Sequence, residues 1–250
     1  MTPEYDVVVV GGGFFGARVA IWLATVGGCA RVLLMDEADT LLSRASRWNQ
    51  ARVHNGYHYP RSFVTAQRSQ QNRDRFAREY PETIRRFPSL YAVAAEDSRT
   101  AASAFERFAA EIGEPARPAP RELRALFDRR RVAGVYLADE PVFDADRLRD
   151  RLVADLSFAG VTVRCPAHVE RISPAGPSLC VEHAGGVTTA SWVFNCTYAS
   201  LDRLDPELAP QLRFQLAELA RIEPPPELSG LGITVVDGPF FSLLPFPLGP

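Results

Sequence analysis

Lysine is absent from this chain: all 28 of its basic residues are arginine. The absence excludes any chemistry that needs a lysine amine, a Schiff base above all, and reads as genomic composition bias. Cysteine is sparse. Cys29, Cys165, Cys180 and Cys196 are widely spaced and form no C-x-x-C pair, so neither a zinc site nor a disulfide framework is supported and no metal is expected. They read as buried or half-buried thiols at the edges of elements. No apolar run approaches the roughly 20 residues that span a bilayer. Met1-Thr2-Pro3-Glu4 carries neither the basic region nor the apolar stretch of a signal peptide, and the expectation is cytoplasmic residence. Excess charge is also lacking. A formal net charge of −2 offers no field to attract nucleic acid or an anionic membrane. A small molecule is the expected partner, and the oligomeric state is left open.

The rest of the composition is that of a globular protein. The 250 residues are 46% hydrophobic and 23% charged. That suffices for one large core, or for a nucleotide-binding domain with a smaller partner woven into it. No internal repeat or low-complexity segment interrupts the chain.

The organising stretch is Tyr5 to Glu37. Tyr5-Asp6-Val7-Val8-Val9-Val10 is a β-branched run that predicts a buried parallel strand. Gly11-Gly12-Gly13-Phe14-Phe15-Gly16 follows at once and fits G-x-G-x-x-G through Gly11, Gly13 and Gly16. Ala17 to Val26 then has Val19, Ala20, Leu23 and Ala24 at helical spacing, and Gly27-Gly28 stops the helix. A second apolar strand, Arg31 to Met35, ends on Asp36, twenty residues after Gly16. The first glycine permits a tight turn, the second lets a pyrophosphate approach the backbone, and the third lets helix and strand pack closely. The helix N-terminus offers N–H groups and partial positive charge to phosphates. Asp36 is placed to accept from a ribose hydroxyl pair, with Glu37 beside it. Strand, glycines, helix, strand and acid in that order predict a bound dinucleotide.

Beyond it the sequence predicts a long charged helix from Arg61 to Tyr80, stopped by Pro81, and a strand over Ser89 to Ala94. Ser98 reads as the N-cap of a helix reaching Ile112, with Ala101, Phe105, Phe108 and Ile112 on one face. Further expectations are a short helix from Arg121 to Phe127, a strand over Val132 to Leu137, and a helix from Asp144 to Gly160 carrying Leu148, Leu152, Leu156 and Phe158. Short strands follow at Val161 to Val163 and at His168 to Ile172. A hairpin crosses Ala184-Gly185-Gly186, and Trp192 to Cys196 is another apolar strand. Arg213 to Ile222, Gly232 to Val236 and Phe240 to Phe246 are the last elements. A chain that leaves the nucleotide fold, builds elsewhere and returns predicts an α/β protein. Its Rossmann-like domain takes 1–88 and 140–205, and an interwoven, mainly antiparallel α+β substrate domain takes 89–139 and 206–250.

One block carries a family resemblance: Ala45-Ser46-Arg47-Trp48-Asn49-Gln50-Ala51-Arg52-Val53-His54-Asn55-Gly56-Tyr57-His58-Tyr59-Pro60. With Val7 to Gly16 and Asp36 it resembles the flavoprotein superfamily that includes D-amino acid oxidase. It is most similar to L-2-hydroxyglutarate oxidases/dehydrogenases and flavin-dependent glycerol-3-phosphate dehydrogenases, where His-x-Gly-x-x-Tyr recurs, here His54, Gly56 and Tyr59. The resemblance implies FAD as cofactor. It implies that the strands bearing Val169 and Thr197 return to the adenine and pyrophosphate. Ser46, Arg47, Asn49 and Gln50 are polar enough to hold the pyrophosphate and ribityl chain, the plainer alternative being that half of them only solvate a loop. This chain departs from the family in ending the return strand Cys196-Thr197-Tyr198, not Ala-Thr-Gly. The family also runs on into a glycine-rich segment that touches the isoalloxazine ring, so a chain stopping at Gly249-Pro250 reads as a fragment, a truncated product or a shortened homologue.

Flavin oxidation of an alcohol or amine needs a base for the O–H or N–H proton, and a substrate carboxylate or phosphate calls for an arginine fork. If Ala51 to Tyr59 is extended, alternation puts Arg52, His54, Gly56 and His58 on one face, with room at Gly56 between the histidines. Val53, Asn55, Tyr57 and Tyr59 face the other way. Arg52, His54 and His58 are therefore the candidate catalytic residues, in an FAD-dependent oxidoreductase acting on a small CH–OH or CH–NH donor. His54 as a strut under the flavin, His58 as a surface residue, and His168 and His183 as structural residues are the plainer alternatives. An NAD(P)-dependent dehydrogenase and a flavoprotein that binds its dinucleotide without turnover remain the competing functions.

Overall fold

The computed structural model describes residues 2–211, 213–238 and 240–246; Pro239 and the terminal Gly249-Pro250 lie outside them. The chain forms two compact units, Met1–Asn49 with Ala145–Ala220 and Gln50–Asp144 with Arg221–Pro250. Residues 50–88 thus fall in the second unit and 206–220 in the first.

The first unit is built on six strands in the order Thr162–Arg164, Val32–Met35, Tyr5–Val10, Gly186–Asn195, Ser178–His183 and Val169–Ala175. The first four run parallel and the last two join antiparallel. Val8 pairs with Leu33 on one side and Val193 on the other. Strands sandwiched in this way are buried on both faces, which is why they read as unbroken Val and Leu. Val8, Val10, Leu33 and Met35 pack with Val169, Val181 and Ala190 on one face. Val7, Val9 and Leu34 are buried on the other by alternation. The helix Phe14–Thr25 packs on the strands Tyr5–Val10 and Val32–Met35 and on the helix Ala145–Phe158. It buries Ala17, Ala20 and Leu23, and its neighbour buries Leu148, Leu152 and Leu156. Phe158 departs from that stripe and is exposed.

The second unit holds a sheet ordered Phe241–Leu243, Gly232–Val236, Ser89–Ala94, Val132–Ala138 and Arg117–Pro118. It is antiparallel except where Gly232–Val236 pairs with Ser89–Ala94. Tyr91 and Val93 join Tyr57, Phe105, Phe108, Ile112 and Tyr136 on one face, while Leu90 and Ala92 join Val135 and Ile233 on the other. The helix Ala102–Glu111 supplies the two phenylalanines. Ala101, not Ser98, is its N-cap. Ser98 closes a turn of its own, accepting the Thr100 N–H at 3.2 Å and donating to the Thr100 carbonyl at 2.8 Å.

The helix Phe63–Glu79 buries only Ala66, in keeping with its sparse apolar positions. Arg213 to Ile222 forms neither helix nor strand. A two-stranded ribbon, Ile84–Arg85 with Val142–Phe143, completes the unit. Among the described residues no helix is long and apolar enough to cross a membrane, and no cluster of His, Cys, Asp and Glu could hold a metal ion.

Candidate functional site

The glycine loop is one candidate site. Gly11 has φ +104°, a backbone that side-chain-bearing residues rarely adopt. A Cβ on Gly11 would lie 2.5 Å from the Cys196 carbonyl oxygen, and one on Gly16 would lie 1.8 Å from the Gly11 carbonyl oxygen. Loop, helix and return strand therefore close on one another only because those two side chains are missing. At Gly13 the situation differs. A Cβ there would meet only Ser46 Oγ, at 3.2 Å, so the loop is open where a pyrophosphate must approach. The helix it starts has no acidic residue in its first turn to compete for the N–H groups. These features fit a dinucleotide.

Asp36 does double duty at the end of its strand. Its Oδ2 accepts the Gly12 N–H at 2.5 Å and its Oδ1 the Ala38 N–H at 2.8 Å. A carboxylate oxygen accepts more than one bond, so acceptor capacity remains for ribose hydroxyls. Glu37 is committed elsewhere, to Arg44 and to His168 Nδ1 at 2.9 Å. Burial pushes the Glu37 carboxyl up, but the His168 hydrogen bond and the Arg44 charge outweigh it and hold it below the usual range. His168, read from the sequence as structural, is thus tied to the acid beside Asp36.

Ser46 Oγ accepts the Phe14 N–H at 3.0 Å, capping the helix from a distant segment. Arg47 pairs with Asp146 and lies over the Trp48 ring. Asn49 Nδ2 donates to the Ala45 carbonyl at 2.8 Å, and Gln50 Oε1 accepts from Arg52 Nε at 2.9 Å. Val169 is buried at the start of its strand. Thr197 follows the return strand, with its N–H and Oγ1 both on Asn195 Oδ1. Tyr198 occupies the position where the resembling families carry glycine, and it adopts φ +54°, the left-handed conformation glycine would take without strain.

The block from Arg52 to Tyr59 corrects the expectation of a strand. Ala51 at φ +52° and Gly56 at φ +102° break any extended run. Arg52 makes a single antiparallel bridge to Val142, and Tyr57 N–H donates to Asn55 Oδ1 at 3.1 Å, which starts a turn. Strict alternation fails accordingly. Val53, Asn55 and Tyr57 are buried. The Tyr59 ring, however, sits against His54 at 5.7 Å and His58 at 5.3 Å instead of facing away. Gly56 leaves no space between the histidines; a Cβ there would meet the Ala66 carbonyl at 3.0 Å. Their rings are direct neighbours, 5.1 Å apart.

Arg52, His54 and His58 nevertheless converge, and a residue that sequence reasoning missed ties two of them together. Glu140 follows the strand Val132–Ala138 and is positioned by backbone bonds from Val53 N–H to the Pro141 carbonyl and from Phe143 N–H to the Ala51 carbonyl. Its Oε2 accepts from Arg52 Nη1 at 2.8 Å and from the Tyr91 hydroxyl at 2.6 Å. Its Oε1 lies 3.0 Å from His54 Nδ1. Both side chains of the Arg52–Glu140 pair are 2% exposed, against 29% for His54. Arg52 is therefore turned on Glu140 and not outward as an anion fork, although its Nη2 has no hydrogen-bond partner among the described residues. The sequence's one signal for Glu140 was Asp139-Glu140-Pro141 after an apolar strand, which reads equally as a turn.

The electrostatics follow. Burial opposes the charged form of Glu140, but the His54 hydrogen bond, the charges of His54 and Arg52 and the Tyr91 hydroxyl together hold its carboxyl below the usual range. Burial raises the Tyr91 phenol well above its ordinary value, and the Glu140 charge adds to that. His58 is pushed down to about 4, first by burial and then by its neighbours His54 and Arg52. It is neutral near pH 7. The cluster offers one ionised, buried carboxylate and two adjacent imidazoles.

With this geometry in hand, comparison with known proteins is informative. The family described as FAD dependent oxidoreductase matches residues 6–247. The FAD-dependent monooxygenase FPY4 of Fusarium mangiferae is 30% identical over 241 residues, covering 95% of this chain and 60% of that protein. The FAD-dependent monooxygenase kojA of Aspergillus flavus is 28% identical over 261 residues, covering 98% and 59%. The chain thus spans about 60% of the length of these relatives. NikD, an amino acid oxidase essential for nikkomycin biosynthesis, superposes with a TM-score of 0.65 at 20% identity, over 84% of this chain and 54% of its own. Glycine oxidase from Geobacillus kaustophilus gives 0.62 at 20% identity, over 83% and 59%. These two likenesses show the fold alone. The family match over nearly the whole chain, with a glycine cradle that fits a dinucleotide, carries the conclusion: this chain belongs to the FAD-dependent oxidoreductase family of D-amino acid oxidase type, with FAD as its cofactor.

Proposed function

We propose that the protein oxidises a small CH–OH or CH–NH donor. In this reading Gly11, Gly12, Gly13, Phe14, Phe15, Gly16 and Asp36 hold the dinucleotide. Glu37, Ser46, Arg47, Asn49, Gln50, Val169 and Thr197 support it. FAD, when bound, supplies the hydride acceptor. The chain's own task is the proton. His54 receives it from the donor's hydroxyl or amine. His58 is neutral because burial depresses it to about 4, so it does not carry charge. Arg52 keeps Glu140 ionised beneath them. The observation that carries the reading is the convergence of His54 and His58 over the buried Arg52–Glu140 pair, in a chain of this family.

The test is anaerobic reduction of the purified protein by a panel of small 2-hydroxy acids and α-amino acids. His54→Gln is expected to slow flavin reduction by roughly 10²–10⁴-fold while FAD stays bound. Release of FAD with near-normal turnover of what remains would make His54 a strut, not a base. A colourless protein that binds NAD would overturn the flavin reading altogether. A second reading, monooxygenation, is favoured by the two fungal relatives, both FAD-dependent monooxygenases; label from ¹⁸O₂ appearing in the product would select it.

A further inference from the structure

We infer that Glu140 is a positioning residue: it fixes the tautomer of His54, holding the proton on Nδ1 so that Nε2 presents its lone pair. The inference rests on the reading of His54 as proton acceptor but is tested apart from it. The groups around His54 leave little choice. Glu140 Oε1, 3.0 Å from Nδ1, belongs to a carboxylate 98% removed from solvent, whose other oxygen is already occupied by Arg52 Nη1 and the Tyr91 hydroxyl. An ionised carboxylate only accepts hydrogen bonds, so the atom facing it must be a donor, and Nδ1 carries the hydrogen. Among the described residues, the rings of His58 and Tyr59 also lie beside His54, at 5.1 and 5.7 Å between centroids. His58 is neutral and brings no competing charge.

The consequence for proton movement is specific. When Nε2 takes the substrate proton, the imidazolium formed has a carboxylate already aimed at its other nitrogen. The proton stays on Nε2, and the Nδ1 proton stays shared with Glu140. No group beyond His54 changes protonation. This is the division of labour seen where an acid orients a catalytic imidazole, here built from a buried Arg–Glu pair in a flavoprotein-family fold. Arg52 and Tyr91 have a second part in it. They present donors to Oε2, so they dictate which way an amide would sit in place of the carboxylate. In Glu140→Gln the side-chain carbonyl must turn to Arg52 and Tyr91, which places the amide NH₂ against Nδ1. A donor there demands an acceptor, and the proton moves to Nε2.

The experiment is ¹⁵N spectroscopy of the FAD-loaded protein labelled at histidine, at pH 7.5, with the His54 signals assigned by their loss in His54→Gln. In the wild type the protonated-type shift is expected on Nδ1 and the lone-pair-type shift on Nε2, with the two exchanged in Glu140→Gln. Flavin reduction should fall roughly 10²–10⁴-fold in Glu140→Gln, an effect on kcat more than KM, and Glu140→Asp, which keeps the charge, should recover part of it. A wild-type His54 protonated on Nε2, or a tautomer unmoved by Glu140→Gln in a folded protein, overturns the inference. Should Glu140→Gln fail to fold, the wild-type spectrum alone decides. If the tautomers behave as expected while His54→Gln reduces flavin normally, the reading of His54 as base fails and the positioning by Glu140 stands.

Discussion

The Arg52–Glu140 pair invites a direct perturbation. Arg52→Met removes the guanidinium while keeping an unbranched stem of similar length. Glu140 would then keep the Tyr91 hydroxyl and His54 Nδ1 but lose its cation, at a site where both side chains are 2% exposed. Breaking a buried pair from one side costs about 3–5 kcal/mol, because the surviving charge is left uncompensated. The pH dependence carries the signature. In the wild type the folded Glu140 pKa lies below its ordinary value, so its contribution is present above the unfolded carboxylate pKa of about 4.3 and is lost as pH falls through the folded value. In Arg52→Met burial dominates and raises the folded pKa, so the mutant is relieved by protonation as pH falls. The gap between the two proteins should be widest near pH 7 and narrow toward pH 4.5. Urea unfolding of the FAD-saturated proteins at both values, followed by circular dichroism and tryptophan fluorescence, measures it. Arg52→Met/Glu140→Leu should recover at least half of the loss, since no buried charge remains. A loss under about 1 kcal/mol, the range of exposed pairs, or an equal loss at both pH values, would refute the account of this pair as buried and mutually dependent.

Three further outcomes are expected. Gly13→Val sets a branched side chain against Ser46 Oγ, 3.2 Å from the Cβ position, and into the open side of the loop; flavin content should collapse with far-ultraviolet circular dichroism unchanged, and full occupancy would refute the cradle. Asp36→Ala removes a carboxylate that we propose accepts from the ribose and frees the Gly12 and Ala38 amides; FAD affinity should fall by about 1.5–3 kcal/mol, and an unchanged dissociation constant would move the ribose contact to Glu37. His58, depressed to about 4 by burial and its neighbours His54 and Arg52, binds its proton more readily unfolded than folded, so stability should drop as pH falls from about 6.5 toward 4. His58→Gln should flatten that part of the stability profile, and an unaltered slope would place the titration elsewhere.

Much of this protein was legible before any coordinates. Tyr5 to Asp36 announces its strand, loop, helix and strand because each is specified by neighbours in sequence: β-branched residues for a strand buried on both faces, glycines where a Cβ would strike the Gly11 or Cys196 carbonyl, an acid at the strand end. The same holds for Ser89–Ala94 and for the stripe of Leu148, Leu152 and Leu156. Short-range periodicity was enough there. It failed between Ala51 and Tyr59, where left-handed turns at Ala51 and Gly56 replace the expected strand and bring Tyr59 round to the histidines. Ala51 gives no local sign of its positive φ; the pairing of its flanks with Pro141 and Phe143 imposes it. Glu140 was invisible for the same reason. A buried glutamate looks in sequence like any surface acid, and only folding brings it, 86 residues away from His54 and 88 from Arg52, to the one place where two donors and an imidazole make its charge tolerable. Local pattern sufficed for the glycine loop, whereas the cluster of Arg52, His54 and Glu140 depends on long-range contacts that no spacing encodes.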